Sequence, residues 1–182
     1  MTDQITFITG NPSKAEQLSK YLGIPITHHK LDLTEIQSLD LEEVVRHKAI
    51  EAFNQLKTPV LVDDVELKIH PLGRLPGPFI KFFIEELGNE GICKLIAPYE
   101  DKSASATVAI GYHNGTEVQT FLGTIQGIIA EEPKGDGGFG WDQIVIPDGY
   151  TQTRSEMNEV DYDKTSPRRM ALDSLEQYLN TR

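Results

Sequence analysis

The short apolar run at residues 60–62 (Val-Leu-Val) constrains the fold of this chain more than any other segment. Pro59 precedes it, and two acids, Asp63 and Asp64, follow it. A run without polar alternation is typical of a strand buried on both faces, and such strands occur in sheets that helices cover on both sides. The run therefore predicts the central strand of an α/β domain, with two carboxylates at the carboxyl end of that strand.

The surrounding patterns support the same fold class. Residues 5–9 are typical of a short buried strand, and the apolar positions of residues 41–56 recur at helical spacing. Further along the chain, two strand-like segments flank Asn114-Gly115, which is a typical hairpin turn. We therefore expect an α/β domain with a mixed sheet and flanking helices.

Composition excludes several classes of function. The 182 residues suit one domain, and the net charge of −11 argues against nucleic-acid binding, which requires a basic face. A small phosphorylated ligand remains compatible with this charge, since a few local cations, a helix N-terminus and a divalent metal suffice. With no run long enough to span a membrane, a polar N-terminus and the single Cys93, we expect a cytoplasmic protein that contacts neither nucleic acid nor membrane.

Residues 9–14 form the first candidate ligand site. A strand ends at Thr9, a turn with Gly10 and Asn11 follows, and a helix begins near Lys14. A helix N-terminus offers unpaired N–H groups and a partial positive charge, so one interpretation is a phosphate cradle. The spacing of a Walker A loop is absent. The other interpretation is a capped strand-to-helix turn with a solvated lysine.

Acidic side chains form the second candidate site. Ligand sites of open α/β sheets lie beyond the carboxyl ends of strands, where a carboxylate can hold Mg²⁺ or orient an attacking water. Asp64 follows the predicted central strand, and Glu35 on a neighbouring loop is a further candidate metal ligand. The alternative is a strand that ends in solvent, with Glu35 as an ordinary surface charge.

Two lysines and one glycine-rich segment complete the candidates. Lys48 and Lys81 lie among apolar residues and can reach a cleft, although such side chains usually extend to water. Residues 137–142 combine three glycines with Asp142 and Trp141, the single tryptophan. Because glycine permits bends that other residues do not, this segment can form the wall of a pocket for a flat ligand. The alternative is a turn whose Trp141 packs on the core.

In order and spacing, these segments resemble the inosine triphosphate pyrophosphatase family. The similarity runs almost end to end, and the combination is more specific than any single motif. The motifs are Phe-x-Thr-Gly-Asn-x2-Lys at 7–14, Asp-Leu-x-Glu-x-Gln at 32–37, Val-x-Asp at 62–64, Leu-Pro-Gly-Pro-Phe-Ile-Lys-Phe-Phe at 75–83, Phe-Gly-Trp-Asp at 139–142, Pro-Asp-Gly-Tyr-x-Gln-Thr at 147–153 and Ser-Glu-Met at 155–157.

The resemblance implies a fold and a reaction. The fold is an elongated mixed β-sheet with flanking helices and two lobes around a central nucleotide cleft, usually in a homodimer. The reaction is attack of water on the α-phosphorus of a non-standard purine nucleoside triphosphate (ITP, dITP or XTP), with Mg²⁺ required. The products are the nucleoside monophosphate and pyrophosphate, so the implied role is cleansing of the nucleotide pool.

The resemblance also implies a role for each candidate residue. Asp64 would be a metal ligand or base, and Glu35 would help to hold Mg²⁺. Lys14 would contact the triphosphate and, with Asp64, would be catalytic. The other implied substrate contacts are Thr9, Gly10, Asn11, Lys48 and Lys81 at the phosphates or nearby groups, and Phe139, Gly140, Trp141 and Asp142 along the base and sugar.

Two segments depart from the family pattern. After Asp64 the family has small residues, whereas this chain has Val65 and Glu66, which we expect to narrow the phosphate site or to alter the metal geometry. The family's Ser-His-Arg appears here as Ser-Pro-Arg at 166–168, and proline cannot replace a histidine that contacts the base. These departures leave two alternatives: a catalytically weakened purine-nucleotide-binding protein, or a pyrophosphatase with shifted base selectivity.

The family's lysine four residues before that motif is also missing from its expected place. Lys164 lies only two residues before Ser166. We retain Lys164 and Arg168 as candidate substrate contacts, and we predict hydrolysis with relaxed base selectivity.

Overall fold

The structure is a computed structural model that describes residues 5–181, apart from the side chain of Ser13. The described residues form one seven-stranded sheet with flanking helices. The strands are β1 (Ile5–Ile8), β2 (Ile26–His29), β3 (Val60–Ile69), β4 (Pro76–Gly77), β5 (Ser103–His113), β6 (Val118–Ile129) and β7 (Val145–Pro147). The helices are α1 (Pro12–Leu22), α2 (Leu41–Leu56), α3 (Ile80–Ile96), α4 (Glu159–Lys164) and α5 (Pro167–Asn180).

The sheet is mixed, as the sequence predicted. Its strand order is β2-β1-β3-β5-β6-β7, with β4 paired to β3 off this path. Strand β1 is parallel to both β2 and β3, whereas β4 is antiparallel to β3 and β7 is antiparallel to β6. The α/β class with a mixed sheet and flanking helices is therefore confirmed.

Strand β3 confirms the predicted central strand. Leu61 packs with apolar side chains of α1 and α5, whereas Val60 and Val62 pack with those of α2. The strand does not end at the two acids, as the apolar run alone indicated, but continues to Ile69. The reason is that Leu67 and Ile69 enter a further apolar cluster, so burial resumes beyond the acids.

The chain divides into two compact units, which are described separately below. The first unit contains the described residues up to Asp64, Ala109–Leu122 and those from Ala171 onward. The second contains Val65–Val108 and Gly123–Met170. The assignment of the whole chain to one domain stays a prediction. Among the described residues, no helix has both the length and the apolar character needed to cross a membrane.

Candidate functional site

In the first unit, Lys48 lies between two carboxylates. Its Nζ is 2.9 Å from Oε1 of Glu35 and 2.8 Å from Oδ2 of Asp64. The side chain of Lys48 is 11% exposed, that of Asp64 21% and that of Glu35 62%. The structure thus brings together three residues that the sequence indicated separately, and Lys48 does not extend to water as lysines in apolar surroundings usually do.

Local sequence explains how Lys48 reaches this position. Asp40 caps the N-terminus of α2, because its side chain accepts hydrogen bonds from the backbone N–H groups of Glu42 and Glu43. Lys48 lies on the buried side of α2, together with Val45 and Ala49. The helix therefore directs the ammonium group inward, toward the acid that β3 supplies.

Charge pairing offsets the burial of Lys48. Burial by itself lowers the pKa of an amine, since it disfavours the charged form. Attraction and a hydrogen bond from Asp64, supported by the same interactions with Glu35, outweigh this effect and raise the pKa of Lys48. Lys48 therefore stays charged at neutral pH.

The strand-to-helix turn at residues 9–14 is present in the same unit. The N–H of Thr9 donates to the carbonyl oxygen of His29 at 3.0 Å, and the N–H of Asn11 donates to Oγ1 of Thr9 at 3.1 Å. Helix α1 then begins at Pro12, a residue that suits the first helical turn because it has no N–H to leave unpaired. A Cβ at Gly10 would meet only the flexible side chain of Lys30, at 3.5 Å, so folding alone does not require glycine there.

In the second unit, the residues after Asp64 have partners of their own. Val65 packs against the apolar cluster of this unit. Glu66 is 3% exposed, and its Oε1 lies 2.6 Å from Nζ of Lys68. The buried charge of Glu66 is therefore paired along its own strand.

The glycine loop, defined here as residues 135–142, requires glycine at specific positions. Gly138 and Gly140 have φ values of 86° and 56°, in the left-handed region. A Cβ at Gly138 would lie 2.6 Å from Cβ of Asp142, so any other residue would displace that side chain. Trp141 packs in the core, whereas the ring of Phe139 is 65% exposed. Phe139 is therefore the aromatic that this loop presents at its surface.

Asp142 is buried and fully engaged with protein groups. Its Oδ1 accepts a hydrogen bond from Nε of Arg154 at 2.8 Å. Its Oδ2 accepts from the N–H of Phe139 and from the hydroxyl of Tyr162, each at 2.7 Å. The guanidinium carbon of Arg154 also lies 4.2 Å from the centre of the Tyr162 ring, and Nη1 donates to Oγ1 of Thr165 at 2.7 Å.

No motif of the sequence indicated Arg154 or Tyr162 as a site residue. One signal for Arg154 was available: Thr153-x-x-Glu156 is a capping-box pattern, which predicts an ordered turn around it, and the structure has this box. Tyr162 lies four residues before Ser166, where the family pattern has its lysine. Their joint contact with Asp142 links separate segments, and no local pattern encodes it.

The remaining candidates lie at the surface of the second unit or at helix starts. Lys81 is in the first turn of α3, with its side chain 70% exposed and Nζ 3.9 Å from Oε1 of Glu85. Lys164 ends α4, with its side chain 66% exposed and Nζ 3.7 Å from Asp161. Arg168 is the second residue of α5, which begins at the buried Pro167. The roles of these residues stay predictions.

The described residues contain no group of three or more His, Cys, Asp and Glu side chains arranged to hold a metal ion. The candidate ligands in the described part of the chain are instead the pair Glu35 and Asp64, joined through Lys48. Any metal at this pair would therefore draw its other ligands from water or from a bound anion.

Comparison with known proteins gives consistent results. The model of the Ham1 family matches residues 5–178. A protein named inosine triphosphate pyrophosphatase 2 from Trypanosoma cruzi is 40% identical over 176 residues, which cover 94% of this chain and 90% of that protein. The inosine triphosphate pyrophosphatase of Yarrowia lipolytica is 42% identical over 180 residues, which cover 96% and 95%.

Solved structures show the same fold. A HAM1 protein from Coxiella burnetii aligns with a TM-score of 0.88, 25% identity and full coverage of both chains. The Staphylococcus aureus Ham1 protein aligns with a TM-score of 0.85, 22% identity and 98% coverage of both chains. At 22% identity, the likeness to the Staphylococcus aureus protein concerns the fold alone.

Proposed function

This chain belongs to the Ham1 family, and on that basis we propose that it hydrolyses non-standard purine nucleoside triphosphates. The proposed substrates are ITP, dITP and XTP, and the products are the nucleoside monophosphate and pyrophosphate. Two relatives named as inosine triphosphate pyrophosphatases, which match 94% and 96% of this chain, support this reaction. The proposed role is removal of these nucleotides from the nucleotide pool.

The observation that carries the proposal is the convergence of two carboxylates on one point. Oxygens of Glu35 and Asp64 both contact Nζ of Lys48, at 2.9 and 2.8 Å. Carboxylate oxygens from one or two residues, completed by water and phosphate oxygens, are the ligands that Mg²⁺ takes beside nucleotides. Glu35 and Asp64 would therefore hold a divalent metal beside the ammonium group of Lys48 and not at its position. Such a metal, when bound, supplies neutralisation of phosphate charge.

We assign the phosphate-binding roles to the residues of the first unit. The N–H groups at the start of α1, with the backbone and side chains of Thr9, Gly10 and Asn11, would bind the triphosphate, and Lys14 and Lys48 would neutralise its charge. Gly10 supports this role, because nothing in the fold requires glycine there and a bare backbone permits close approach of an anion. Asp64 would orient the attacking water and accept its proton, while pyrophosphate leaves the α-phosphorus.

We assign recognition of the base and sugar to the second unit. The exposed ring of Phe139 offers a surface on which a purine can stack. Trp141 packs edge-on against this ring at 6.4 Å, and Asp142 accepts the N–H of Phe139. Gly140, Trp141 and Asp142 would line the base and sugar with Phe139. Lys81, Lys164 and Arg168 are proposed as further contacts of the substrate. Lys81 and Lys164 are well exposed, so each is accessible to an anionic ligand.

The buried Pro167 supports relaxed base selectivity. Its side chain offers neither a hydrogen-bond donor nor an acceptor to the purine edge, unlike the family's histidine. One lost hydrogen bond to a ligand is worth about 1–3 kcal/mol, which corresponds to roughly a 5- to 150-fold change in discrimination. We therefore expect the preference for ITP over GTP to be smaller than a histidine at this position would give.

A nucleotide panel with product identification tests the reaction. Purified protein is incubated with Mg²⁺ and ITP, dITP, XTP, GTP or ATP, and monophosphate and pyrophosphate are quantified. We expect both products from ITP and XTP and a loss of turnover in Asp64→Asn, since the amide cannot accept the proton of water. Tight ITP binding with no more turnover than the Asp64→Asn variant would favour a nucleotide-binding protein instead. A strong preference for ITP over GTP would contradict relaxed selectivity.

The proposal also includes Mg²⁺ as the metal, a homodimer and a cytoplasmic location. Mg²⁺ is supported by the all-oxygen pair Glu35 and Asp64 and by the net charge of −11, which disfavours an anionic substrate without a compensating cation. Activity that is lost in EDTA and restored by Mg²⁺ is the expected result. Sedimentation of the intact protein distinguishes a dimer from a monomer.

A further inference from the structure

We infer that Arg154 is the positioning residue of the base-recognition end, because its contacts with Asp142 and Tyr162 hold the glycine loop in shape. This inference rests on the proposed function. The contacts of Arg154 described above are with residues of the second unit, so its effect is expected on base binding rather than on phosphate chemistry.

The ion pair between Arg154 and Asp142 is internal. Each side chain is 5% exposed or less, and Nε lies 2.8 Å from Oδ1. A buried ion pair of this kind contributes little to the free energy of unfolding when it is intact. Removing one partner, however, leaves an uncompensated buried charge. Loss of Arg154 would therefore remove the cation that offsets the buried carboxylate of Asp142.

Asp142 in turn fixes the backbone that carries Phe139. Its Oδ2 accepts the N–H of Phe139 at 2.7 Å, and Gly138 packs so tightly that a Cβ there would lie 2.7 Å from the same oxygen. Movement of the carboxylate would release this N–H and open the bend at Gly138. The exposed Phe139 ring, on which we propose that the base stacks, would then lose its fixed orientation.

The turn that carries Arg154 also anchors both ends of the glycine loop. The N–H of Ser155 donates to the carbonyl oxygen of Asp142 at 2.9 Å, and its hydroxyl donates to the carbonyl oxygen of Gly137. The hydroxyl of Thr153 donates to the carbonyl oxygen of Lys134 at 3.0 Å. A rigid turn thus supports the loop along its length, and Arg154 is its only charged link to Asp142 among the contacts described.

Tyr162 completes the support. Its hydroxyl donates to Asp142, while its ring lies beneath the guanidinium of Arg154 at a distance typical of cation–π contacts. Burial, followed by the contact with Asp142, raises the pKa of Tyr162, so the hydroxyl stays protonated and able to donate at neutral pH. Tyr162 therefore holds both members of the ion pair.

The test compares Arg154→Met with the matched control Arg169→Met. Arg169 is a half-exposed arginine of the same unit, with Nη1 3.7 Å from Asp163. In Arg154→Met we expect the KM for ITP to rise by about tenfold and kcat to change by no more than about threefold, because the lost interaction orients the base and not the reacting phosphate. Arg154→Lys should recover part of the loss, and Arg169→Met should behave like the wild type. An unchanged KM in a folded Arg154→Met protein would overturn the inference.

Trp141 supplies a readout that does not depend on turnover. It is the single tryptophan and is 5% exposed. If Arg154 holds the loop, Arg154→Met and Tyr162→Phe should show red-shifted emission and stronger acrylamide quenching well below their unfolding temperatures. Emission identical to that of the wild type in Tyr162→Phe would overturn the inference even if Arg154→Met fails to fold.

These two readouts separate the inference from the proposed function. Wild-type protein that hydrolyses no nucleotide would refute the proposed function, while the Trp141 signal would still report whether Arg154 holds the loop. The wild type could instead hydrolyse nucleotides while neither variant changes the KM or the Trp141 emission. That result would refute the inference and leave the proposed function intact.

Discussion

At the scale of single residues, Lys48 shows how a charged side chain is retained in an apolar helix face. A buried ammonium group is costly unless it is paired, and Asp64 and Glu35 supply that pairing. Pairing of this kind is weak evidence for stability, because desolvation offsets most of the attraction. The cluster of Lys48, Glu35 and Asp64 is therefore better explained by a role at a ligand site than by a contribution to stability.

This explanation predicts that activity and stability separate in Lys48→Met. Methionine is similar in length and suits the apolar side of α2, and Glu35 and Asp64 keep contact with water, so the free energy of unfolding should change by about 1 kcal/mol or less. Under the proposed role of Lys48 at the phosphates, its loss should reduce kcat/KM by about 100-fold or more. Urea unfolding and steady-state kinetics measure the two quantities. The exposed Lys94→Met is the control, and large destabilisation with intact kcat/KM would contradict this prediction.

At the scale of elements, α3 contains a break near the middle of its span. Gly88 has φ 65° and ψ 172° inside the span of the helix, a conformation that residues with a Cβ rarely adopt. The next residue, Asn89, donates from Nδ2 to the carbonyl oxygen of Gly140 at 2.9 Å and to Oε1 of Gln143 at 3.1 Å. The break thus allows α3 to contact the glycine loop through a side chain.

Gly88→Ala should therefore be destabilising through backbone strain alone. A Cβ at this position would meet no atom within 4 Å, so no steric clash contributes. The strained conformation should lower the free energy of unfolding by about 1–3 kcal/mol, as measured by urea unfolding. Glu90→Ala, an exposed change in the same helix, should leave the urea midpoint close to that of the wild type. Equal stability of Gly88→Ala and the wild type would show that the helix runs through this residue without strain.

The elements also show what a sequence can predict. The apolar run before Asp63 identified a central strand, because double-sided burial leaves a local pattern, but the continuation of β3 to Ile69 depends on a core assembled from distant segments. Likewise, Asp64 and Glu35 were recognisable as candidate ligands from their position and from the resemblance, whereas the burial of Lys48 between them was not. The pairing of Arg154 with Asp142 was missed because it depends on tertiary contacts.

At the scale of the whole molecule, one histidine links stability to pH. His113 at the end of β5 stacks on Phe53, with ring centroids 4.0 Å apart, and its Nδ1 accepts the N–H of Gly115 at 3.1 Å. Burial lowers the pKa of His113 below its ordinary value of 6.5. The folded protein therefore holds the neutral ring at pH values where the unfolded chain binds a proton.

The sign of the effect follows from this difference. Above the pKa of His113 in the unfolded chain, its contribution to the free energy of unfolding is fully present. This contribution is lost as the pH falls toward the lower pKa of the folded state, because only the unfolded chain gains a proton in that range. The urea midpoint should therefore decrease as the pH is lowered from 7.5 to 5.5. The decrease should be smaller in His113→Phe, which keeps a ring but does not titrate. Identical slopes in His113→Phe and the wild type would exclude this contribution.

The arrangement of the first unit has a consequence for synthesis on the ribosome. Its core joins Phe7 and Leu61 to Ala171 and Leu175 of α5, so the earliest and the last parts of the described chain share one apolar cluster. The N-terminal strands therefore cannot complete their packing until α5 has left the exit tunnel. During elongation their apolar faces stay available to chaperones, and a premature stop before Ala171 would leave that core open.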